Sequence, residues 1–104
     1  MTNTKEIVTV DLSKIQMEYN DKQYNVVLFN DDVTPIDYVI FVMLTVFNKN
    51  ERDAVLITAL AQEEGKCIVT TYDSFDDANS RVEAVNALNA EYGLTLKTEV
   101  EEVD

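Results

Sequence analysis

The sequence has no histidine and only one cysteine, and each shortage excludes a class of chemistry. Without histidine the chain cannot use His-based acid–base catalysis, Ser-His or Cys-His nucleophile pairs, or the usual zinc sites. The single Cys67 allows no internal disulfide, which is typical of a protein in a reducing cytosol. These shortages favour an intracellular protein that has no histidine chemistry and no zinc centre.

Basic residues and long apolar runs are also scarce. Eight basic against twenty acidic residues give a formal net charge of −12, which repels phosphate backbones and anionic lipid. We therefore expect neither nucleic-acid nor membrane binding and favour basic partners or cationic ligands, although solubility alone also explains an acidic surface. No apolar run approaches the length of a membrane span, and the first residues lack a secretory signal pattern. A soluble, cytoplasmic protein is expected.

Length and composition predict one domain with a modest core. A chain of 104 residues lies near the commonest domain size. A chain of this length buries roughly two-thirds of its unfolded surface, and the 46% hydrophobic content fits a globular domain. Residues 1–23 are polar and mixed, so we expect a flexible N-terminal arm there, followed by a core domain at 24–104.

The junction at Tyr24–Val42 joins a predicted strand to a predicted helix. Tyr24–Phe29 is a β-branched and aromatic run bounded by turn residues, as is typical of strands. Thr34 is placed to cap the helix that follows, with Pro35 at its first position and Asp37 completing a capping box. Because apolar residues lie on nearly every side of this helix, we expect it to be the central buried helix.

The second half of the chain contains two further helices and two further strands. Their predicted landmarks are the helix cap Asn50, the helix end Gly65, the strand Cys67–Tyr72, the helix cap Ser74, the helix end Gly93, the strand Leu94–Thr98 and a solvated acidic end at Glu99–Asp104. The order strand, helix, helix, strand, helix, strand predicts a small α+β domain. We expect the three helices to pack on one face of a three-stranded antiparallel sheet.

Asn30, Asp31 and Asp32 form the candidate binding site, on the turn between the first strand and the first helix. Two carboxylates and an amide on a short turn between rigid elements suit the binding of a positively charged amino group. The alternative is that Asn and Asp simply end the strand and build the turn, which is their commonest use. A calcium loop is disfavoured because its alternating spacing and distal Glu are missing, and adjacent carboxylates do not flank a glycosidic bond. No catalytic residue, metal or cofactor is expected.

A longer pattern contains this turn and resembles the ClpS family, the adaptors of the Clp ATP-dependent protease. The stretch VVLFNDDVTPIDYVIFVMLTVF carries the resemblance, followed by a second helix, Gly65-Lys66, a strand, a helix and LTLKTEVEE. The resemblance covers about Tyr24–Glu101 and implies the same small α+β fold. It further implies a non-catalytic adaptor that recognises N-degrons, proteins whose first residue is Leu, Phe, Tyr or Trp, and delivers them to a ClpA-like unfoldase.

The resemblance also implies which residues bind the α-amino group of the substrate. The family's amine site falls on Asn30, Asp31 and Asp32, and Gln62 stands where the family usually has a histidine. A glutamine oxygen accepts a hydrogen bond as a neutral imidazole nitrogen does, but glutamine does not titrate. Peptide affinity is therefore expected to be nearly flat between about pH 5.5 and 8, apart from titration of the substrate amine itself.

The apolar pocket that the resemblance implies receives the side chain of the first substrate residue. Its positions in this chain are Thr34, Ile36, Val39, Thr58 and Leu96. Many family members have methionine where Ile36 and Thr58 stand. We therefore expect Thr58 to leave a roomier and less apolar pocket, with a changed preference among first residues.

Contact with the unfoldase is implied for the start of the third helix, at Asp76 and Arg81, and a role in delivery is implied for the N-terminal arm. Two alternatives stay open. One is a regulator or competitor that docks on the unfoldase without delivering N-degrons, motivated by Gln62, Thr58 and the strong acidity. The other is a stand-alone module that binds amines or basic peptides without a protease partner. A monomer is expected.

Overall fold

The computed structural model describes residues 22–104, and these form the predicted succession of three strands and three helices. The elements are β1 (Gln23–Phe29), α1 (Ile36–Thr45), α2 (Glu51–Glu64), β2 (Lys66–Tyr72), α3 (Phe75–Tyr92) and β3 (Thr98–Val103). The predicted α+β class and the order β-α-α-β-α-β are thereby confirmed. The prediction of a flexible arm at 1–23 lies almost wholly outside the described residues.

The sheet has the order β2-β1-β3, and both strand pairs are antiparallel. The first strand in the chain is thus the central one, and Val26 lies opposite Thr70 on one side and Val100 on the other. An extra residue in β2 shifts the register between Val26 and Val27. Because β1 is held on both edges, the turn that follows Phe29 starts from the most constrained part of the sheet.

The core lies between the sheet and the helices. Its fully buried side chains include Val26 and Leu28 from β1 and Val42 and Met43 from α1. The helices α2 and α3 contact the sheet directly, whereas α1 packs chiefly against α2. None of the helices in residues 22–104 combines the length and apolar character needed to cross a membrane.

The prediction that α1 is the central buried helix is wrong. Only one side of it is buried, at Tyr38, Val39, Val42 and Met43. Its opposite side leaves the large apolar residue Phe41 partly open to solvent, with 38% of its surface exposed. Apolar residues all round a helix predict full burial only if neighbours cover every side, and the neighbours of α1 leave Phe41 and Leu44 partly exposed.

The predicted start of α1 is also wrong by one residue, and its capping box does not form. Pro35 occupies the cap position with an extended backbone (ψ 140°), α1 begins at Ile36, and no side chain caps the helix. The hydroxyl of Thr34 instead donates to Oδ2 of Asp31 at 2.6 Å. Thr34 stands one residue before the cap position, so its side chain belongs to the hydrogen-bonded turn of Asp31 and not to the helix end.

The other helix ends follow the sequence prediction. The side chains of Asn50 and Ser74 accept hydrogen bonds from the backbone N–H groups of Asp53 and Asp77, at 2.8 and 3.1 Å. Gly65 ends α2 in the left-handed conformation with φ 91°. This conformation strains residues that carry a Cβ atom, which explains glycine at a sharp helix end.

The third strand lies later in the chain than predicted. The strand β3 covers Thr98–Val103, while Leu94–Lys97 forms a loop, and the predicted solvated end at Glu99–Asp104 is mostly strand. The reason is the length of β1, since β3 pairs from Val103 opposite Gln23 to Thr98 opposite Leu28. Next to this ladder the N–H of Phe29 still donates to the carbonyl oxygen of Lys97, and Leu94–Leu96 lie past the end of β1.

Candidate functional site

The turn after β1 is built around the carboxylate of Asp31. Its Oδ1 accepts from the backbone N–H groups of Val33 at 2.8 Å and Thr34 at 2.6 Å, and its Oδ2 accepts from the Thr34 hydroxyl. Partial burial of Asp31 raises the pKa of its carboxyl group, but the hydrogen bonds from Thr34 and Val33 outweigh burial. The net pKa lies below its ordinary value, so Asp31 is ionised at neutral pH and holds the turn closed.

Two backbone hydrogen bonds attach this turn to other parts of the chain. The N–H of Asn30 donates to the carbonyl oxygen of Gly65 at 2.9 Å, and the N–H of Phe29 donates to that of Lys97 at 3.1 Å. The first bond brings the turn against the end of α2, where Gln62 lies in the last helical turn. The second brings it against the loop that contains Leu96.

These connections form the sides of a pocket whose roughly 280 Å³ of free space includes solvent at its open mouth. It brings together predicted residues from the turn, both of the first two helices and the loop before β3. Eight of them line it, namely Asn30, Asp31, Thr34, Ile36, Val39, Thr58, Gln62 and Leu96. Three lining residues were not predicted, namely Leu28, Phe29 and Ala61. Their positions in the sequence could have indicated them, because Leu28 and Phe29 directly precede the turn and Ala61 lies one turn after Thr58 on α2.

Asp32 does not line this pocket and lies on a neighbouring, more open groove. Asp32, Val33 and Pro35 line this groove together with residues of the pocket mouth. Asp32 is exposed, and it makes none of the three hydrogen bonds that close the turn. The two adjacent aspartates therefore have different environments. The carboxylate of Asp31 accepts the hydrogen bonds that close the turn, whereas the carboxylate of Asp32 lies at the pocket mouth.

The apolar part of the pocket comes mainly from α1, α2 and Leu96. Val39 and Leu96 are 8% and 3% exposed, whereas Ile36 stands at the rim with 48% exposed. Thr58 is buried, and its hydroxyl donates to the carbonyl oxygen of Ala54 at 2.8 Å. The only hydrogen of that hydroxyl is thus used inside α2, which leaves the methyl group as the apolar contribution of Thr58 to the wall.

Taken together, the mouth offers oxygen acceptors and negative charge, and the interior offers an apolar wall. A cationic amine carries three donors and binds best to several acceptors, preferably anionic ones. A site with such a mouth and wall suits a ligand that has an amino group beside a large apolar group. No group of three or more Cys, Asp or Glu side chains within residues 22–104 is arranged to hold a metal ion.

Comparisons with known proteins identify the family of this chain independently of the pocket geometry. The sequence model of the ClpS family, described as the ATP-dependent Clp protease adaptor protein ClpS, matches residues 19–99. The chain belongs to the ClpS family. ClpS adaptors are non-catalytic, so family membership confirms the prediction that the chain is not an enzyme.

Individual ClpS proteins match over nearly their whole length. The chain is 37% identical to the ClpS adapter of Nautilia profundicola over 96% of this chain and 98% of that protein. It is 34% identical to the ClpS adapter of Acetivibrio thermocellus over 96% of this chain and 94% of that protein. A solved structure of ClpS2 from Agrobacterium tumefaciens, bound to L-phenylalaninamide, superposes with a TM-score of 0.75 at 29% identity, covering 79% of this chain and 98% of that one.

The two residues predicted for unfoldase contact in this ClpS protein lie on α3, away from the pocket lining. Asp76 is exposed in the first turn of the helix. Arg81 is half-buried, and its guanidinium donates to the carbonyl oxygen of Val46 at 2.9 Å, where α1 ends. A cation at this position satisfies an otherwise unpaired carbonyl and complements the negative end of the helix. Arg81 thus has a structural role that the sequence did not indicate.

Asn89 is a further residue of this ClpS protein that sequence reasoning missed. It lies on α3, is buried, and hydrogen-bonds both Tyr38 of α1 and the backbone of Leu96. A signal was present, because Asn89 is a polar residue on the apolar stripe of α3, four positions after the buried Val85. A polar side chain at such a place needs partners, and here they are a helix and a wall of the pocket.

Proposed function

We propose that the protein binds N-degron substrates at this pocket and delivers them to a Clp ATP-dependent unfoldase. The free α-amino group of the substrate binds at the mouth, and the side chain of its first residue enters the apolar interior. The observation that carries the proposal is the joining of acidic mouth and apolar pocket at one site, in a chain of the ClpS family. The phenylalaninamide bound by the Agrobacterium tumefaciens relative supports it, because that ligand has a free amine beside a benzyl group.

The amine half of the proposed site consists of Asn30, Asp31, Asp32 and Gln62. Asp32 supplies the carboxylate that the turn leaves unused, and Asn30 and Gln62 supply amide oxygens from the turn and from α2. Asp31 has one carboxylate oxygen filled by two N–H donors, so its main contribution is the shape of the turn and its negative charge. Each charge-assisted hydrogen bond to an ammonium contributes about 1.5–3 kcal/mol.

The apolar half consists of Thr34, Ile36, Val39, Thr58 and Leu96, with Leu28 and Ala61 behind them. Burial of a large apolar side chain contributes about 1.5–3 kcal/mol. Micromolar affinity requires about 8 kcal/mol, which three bonds to the amine reach only near their upper limit, so we expect both halves to contribute. This requirement explains why a protein of this kind distinguishes a chain terminus from an internal residue with the same side chain.

A panel of peptides that differ only in their first residue tests the proposal directly. We expect peptides that begin with Phe, Leu, Tyr or Trp to bind at least about tenfold more tightly than those that begin with Ala or Glu, because only the former fill the apolar interior. Fluorescence polarisation with labelled peptides measures these affinities. Equal binding across the panel contradicts the pocket assignment.

Delivery to the protease needs a second measurement. A reporter protein that begins with Phe is incubated with a Clp unfoldase, its peptidase and ATP, with and without this protein. Faster loss of the reporter in its presence is the expected result, and an otherwise identical reporter that begins with Ala is the control. Slower loss of both reporters supports the regulator or competitor instead, and unchanged loss with peptide binding intact supports a stand-alone module.

The affinity for a Phe-first peptide is expected to be nearly independent of pH from about 5.5 to 7. The chain has no histidine, and Gln62 does not titrate. The pKa of Asp31 is lowered in the folded protein, so its contribution to stability is complete above the ordinary carboxyl pKa of about 3.9 and is lost only as the pH falls through the lower folded value. Affinity measured at constant ionic strength that drops with a midpoint near 6.5 contradicts this assignment. A fall above about pH 7.5 reflects the substrate amine.

A further inference from the structure

The pocket wall at Leu96 is formed by a loop, not by a strand or helix. Leu94–Lys97 lies between the end of α3 and the start of β3, beyond the last paired residue of β1. Leu96 is nevertheless 3% exposed and lines the pocket. A loop whose carbonyl groups have no ladder partners needs other contacts to hold a side chain in one place.

The side chain of Asn89 supplies one such contact. Its Nδ2 donates to the carbonyl oxygen of Leu96 at 2.8 Å, and its own backbone carbonyl accepts from the N–H groups of Gly93 and Leu94. The backbone carbonyl of Asn89 therefore accepts the hydrogen bonds at the end of α3, and its side chain holds the loop at Leu96. The other contact is the bond from the N–H of Phe29 to the carbonyl oxygen of Lys97 at 3.1 Å.

The amide of Asn89 is itself held by Tyr38. The hydroxyl of Tyr38 donates to Oδ1 of Asn89 at 2.9 Å, which fixes the opposite end of the amide that donates to Leu96. Tyr38 directly precedes Val39, another lining residue, and its ring packs edge-on against Tyr92 at 5.9 Å between centroids. Burial, with Tyr92 and Glu91 nearby, raises the pKa of Tyr38, so this hydroxyl keeps its proton at neutral pH.

We propose that Asn89, held by Tyr38, positions the Leu96 wall and thereby determines which first residues the pocket accepts. This inference rests on the proposed function, because the selectivity is that of the N-degron pocket. Asn89 does not line the pocket and acts on the substrate only through Leu96. The hydrogen bonds of Asn89 to Tyr38 and to Leu96 connect two walls of the pocket through α3, because α1 carries Val39 and the loop carries Leu96.

Two substitutions and a control test the proposal. Asn89→Ala removes both hydrogen bonds, and Tyr38→Phe removes only the support for the amide. Val69→Ala is a matched core substitution, because Val69 is 5% exposed in β2 and does not line the pocket. All variants are first checked for folding by circular dichroism and are measured well below their unfolding temperatures.

The readout is the ratio of affinities for two peptides that differ only in a first Phe or Leu. The amine contribution is common to both peptides and cancels in the ratio, which therefore reports the shape of the apolar pocket. We expect Asn89→Ala to change this ratio by about tenfold, the size of effect that a misfit of one methylene produces. Tyr38→Phe is expected to change it less, and Val69→Ala to leave it unchanged. The methyl NMR signals of Leu96 should shift in Asn89→Ala and stay in place in Val69→Ala.

An unchanged ratio in Asn89→Ala, or an equal change in Val69→Ala, overturns the positioning role. Failure of the unaltered protein to bind either peptide is a failure of the proposed function instead. In that case the Leu96 methyl signals still decide whether Asn89 holds the wall, since that measurement needs no ligand. Signals that do not move in Asn89→Ala overturn the inference in either case.

Discussion

Acetylation of the α-amino group is expected to lower the affinity of a Phe-first peptide by at least about 100-fold. The acetyl group removes the positive charge and two of the three donors that the acidic mouth would bind. A loss of two charge-assisted bonds, at about 1.5–3 kcal/mol each, exceeds the 2.7 kcal/mol that corresponds to 100-fold. Isothermal titration of the free and acetylated peptides, otherwise identical, measures the difference. Equal affinities contradict amine recognition at this turn.

The adjacent aspartates allow a sharper version of this experiment. Asp32→Asn keeps the size of the side chain and removes its charge, so binding of the free-amine peptide should fall by about three- to tenfold. Binding of the acetylated peptide should not change, because it carries no cation for Asp32 to attract. The two effects form a cycle that isolates the contact between the amine and this carboxylate. An equal loss for both peptides shows that Asp32 acts on something other than the amine.

Asp31→Asn is the matched substitution inside the turn and should behave differently. An asparagine at this position offers one oxygen in place of two, so it cannot accept from Val33, from the Thr34 N–H and from the Thr34 hydroxyl as Asp31 does. We expect a loss of about 1–2 kcal/mol in the free energy of unfolding, as for removal of a helix-cap acceptor. Asp32→Asn should leave the urea midpoint nearly unchanged. Comparison of the two urea midpoints separates the turn-forming Asp31 from Asp32, which we propose binds the amine.

Leu28→Ala should produce the largest loss of stability among the pocket residues. Leu28 is 1% exposed, belongs to the core, and also lines the pocket. Truncation of a buried Leu to Ala costs about 2–5 kcal/mol, a large share of the roughly 5–15 kcal/mol that stabilises a typical domain. Urea unfolding followed by circular dichroism measures this loss. A change below about 1 kcal/mol indicates that the core around Leu28 is not packed as the structure has it.

Val26→Ala is the control that separates a loss of stability from a loss of peptide binding in Leu28→Ala. Val26 lies two residues earlier on the same face of β1, is fully buried, and does not line the pocket. We expect both variants to unfold more readily, but only Leu28→Ala to weaken binding of a Phe-first peptide, by about tenfold. Affinity is compared below the unfolding transition of each variant. If Val26→Ala loses as much affinity as Leu28→Ala, general destabilisation and not the pocket explains the weaker binding.

Local sequence patterns predicted most of the elements in this chain. Asn50 and Ser74 cap their helices, Gly65 and Gly93 end them, and β1 follows its β-branched run almost to the residue. Each of these signals acts within a few residues, through one side chain or one backbone angle. Such short-range effects are the same in any tertiary context, which is why they can be predicted without one.

The errors share a different cause, because each depends on distant partners. The cap at Thr34 failed because α1 begins one residue later than predicted and the Thr34 side chain bonds to Asp31, and the third strand moved because the β1–β3 ladder ends at the pair Leu28 and Thr98. The burial of α1 was overestimated because its packing against α2 and α3 decides which side is covered. None of these facts is contained in the local pattern that suggested the prediction.

The sequence by itself determined the class of fold, the strongly acidic character and the turn Asn30-Asp31-Asp32 as the candidate site. Tertiary structure alone decided the different positions of the two aspartates: Asp31 closes the turn, and Asp32 lies at the pocket mouth. It also shows that Gln62 and Leu96, which lie 34 positions apart in the sequence, line one pocket as the resemblance implied, and that the side chain of Asn89 donates to the carbonyl oxygen of Leu96. The physical reason is that hydrogen-bond competition and burial depend on what lies nearby in space, and only the folded chain brings those groups together.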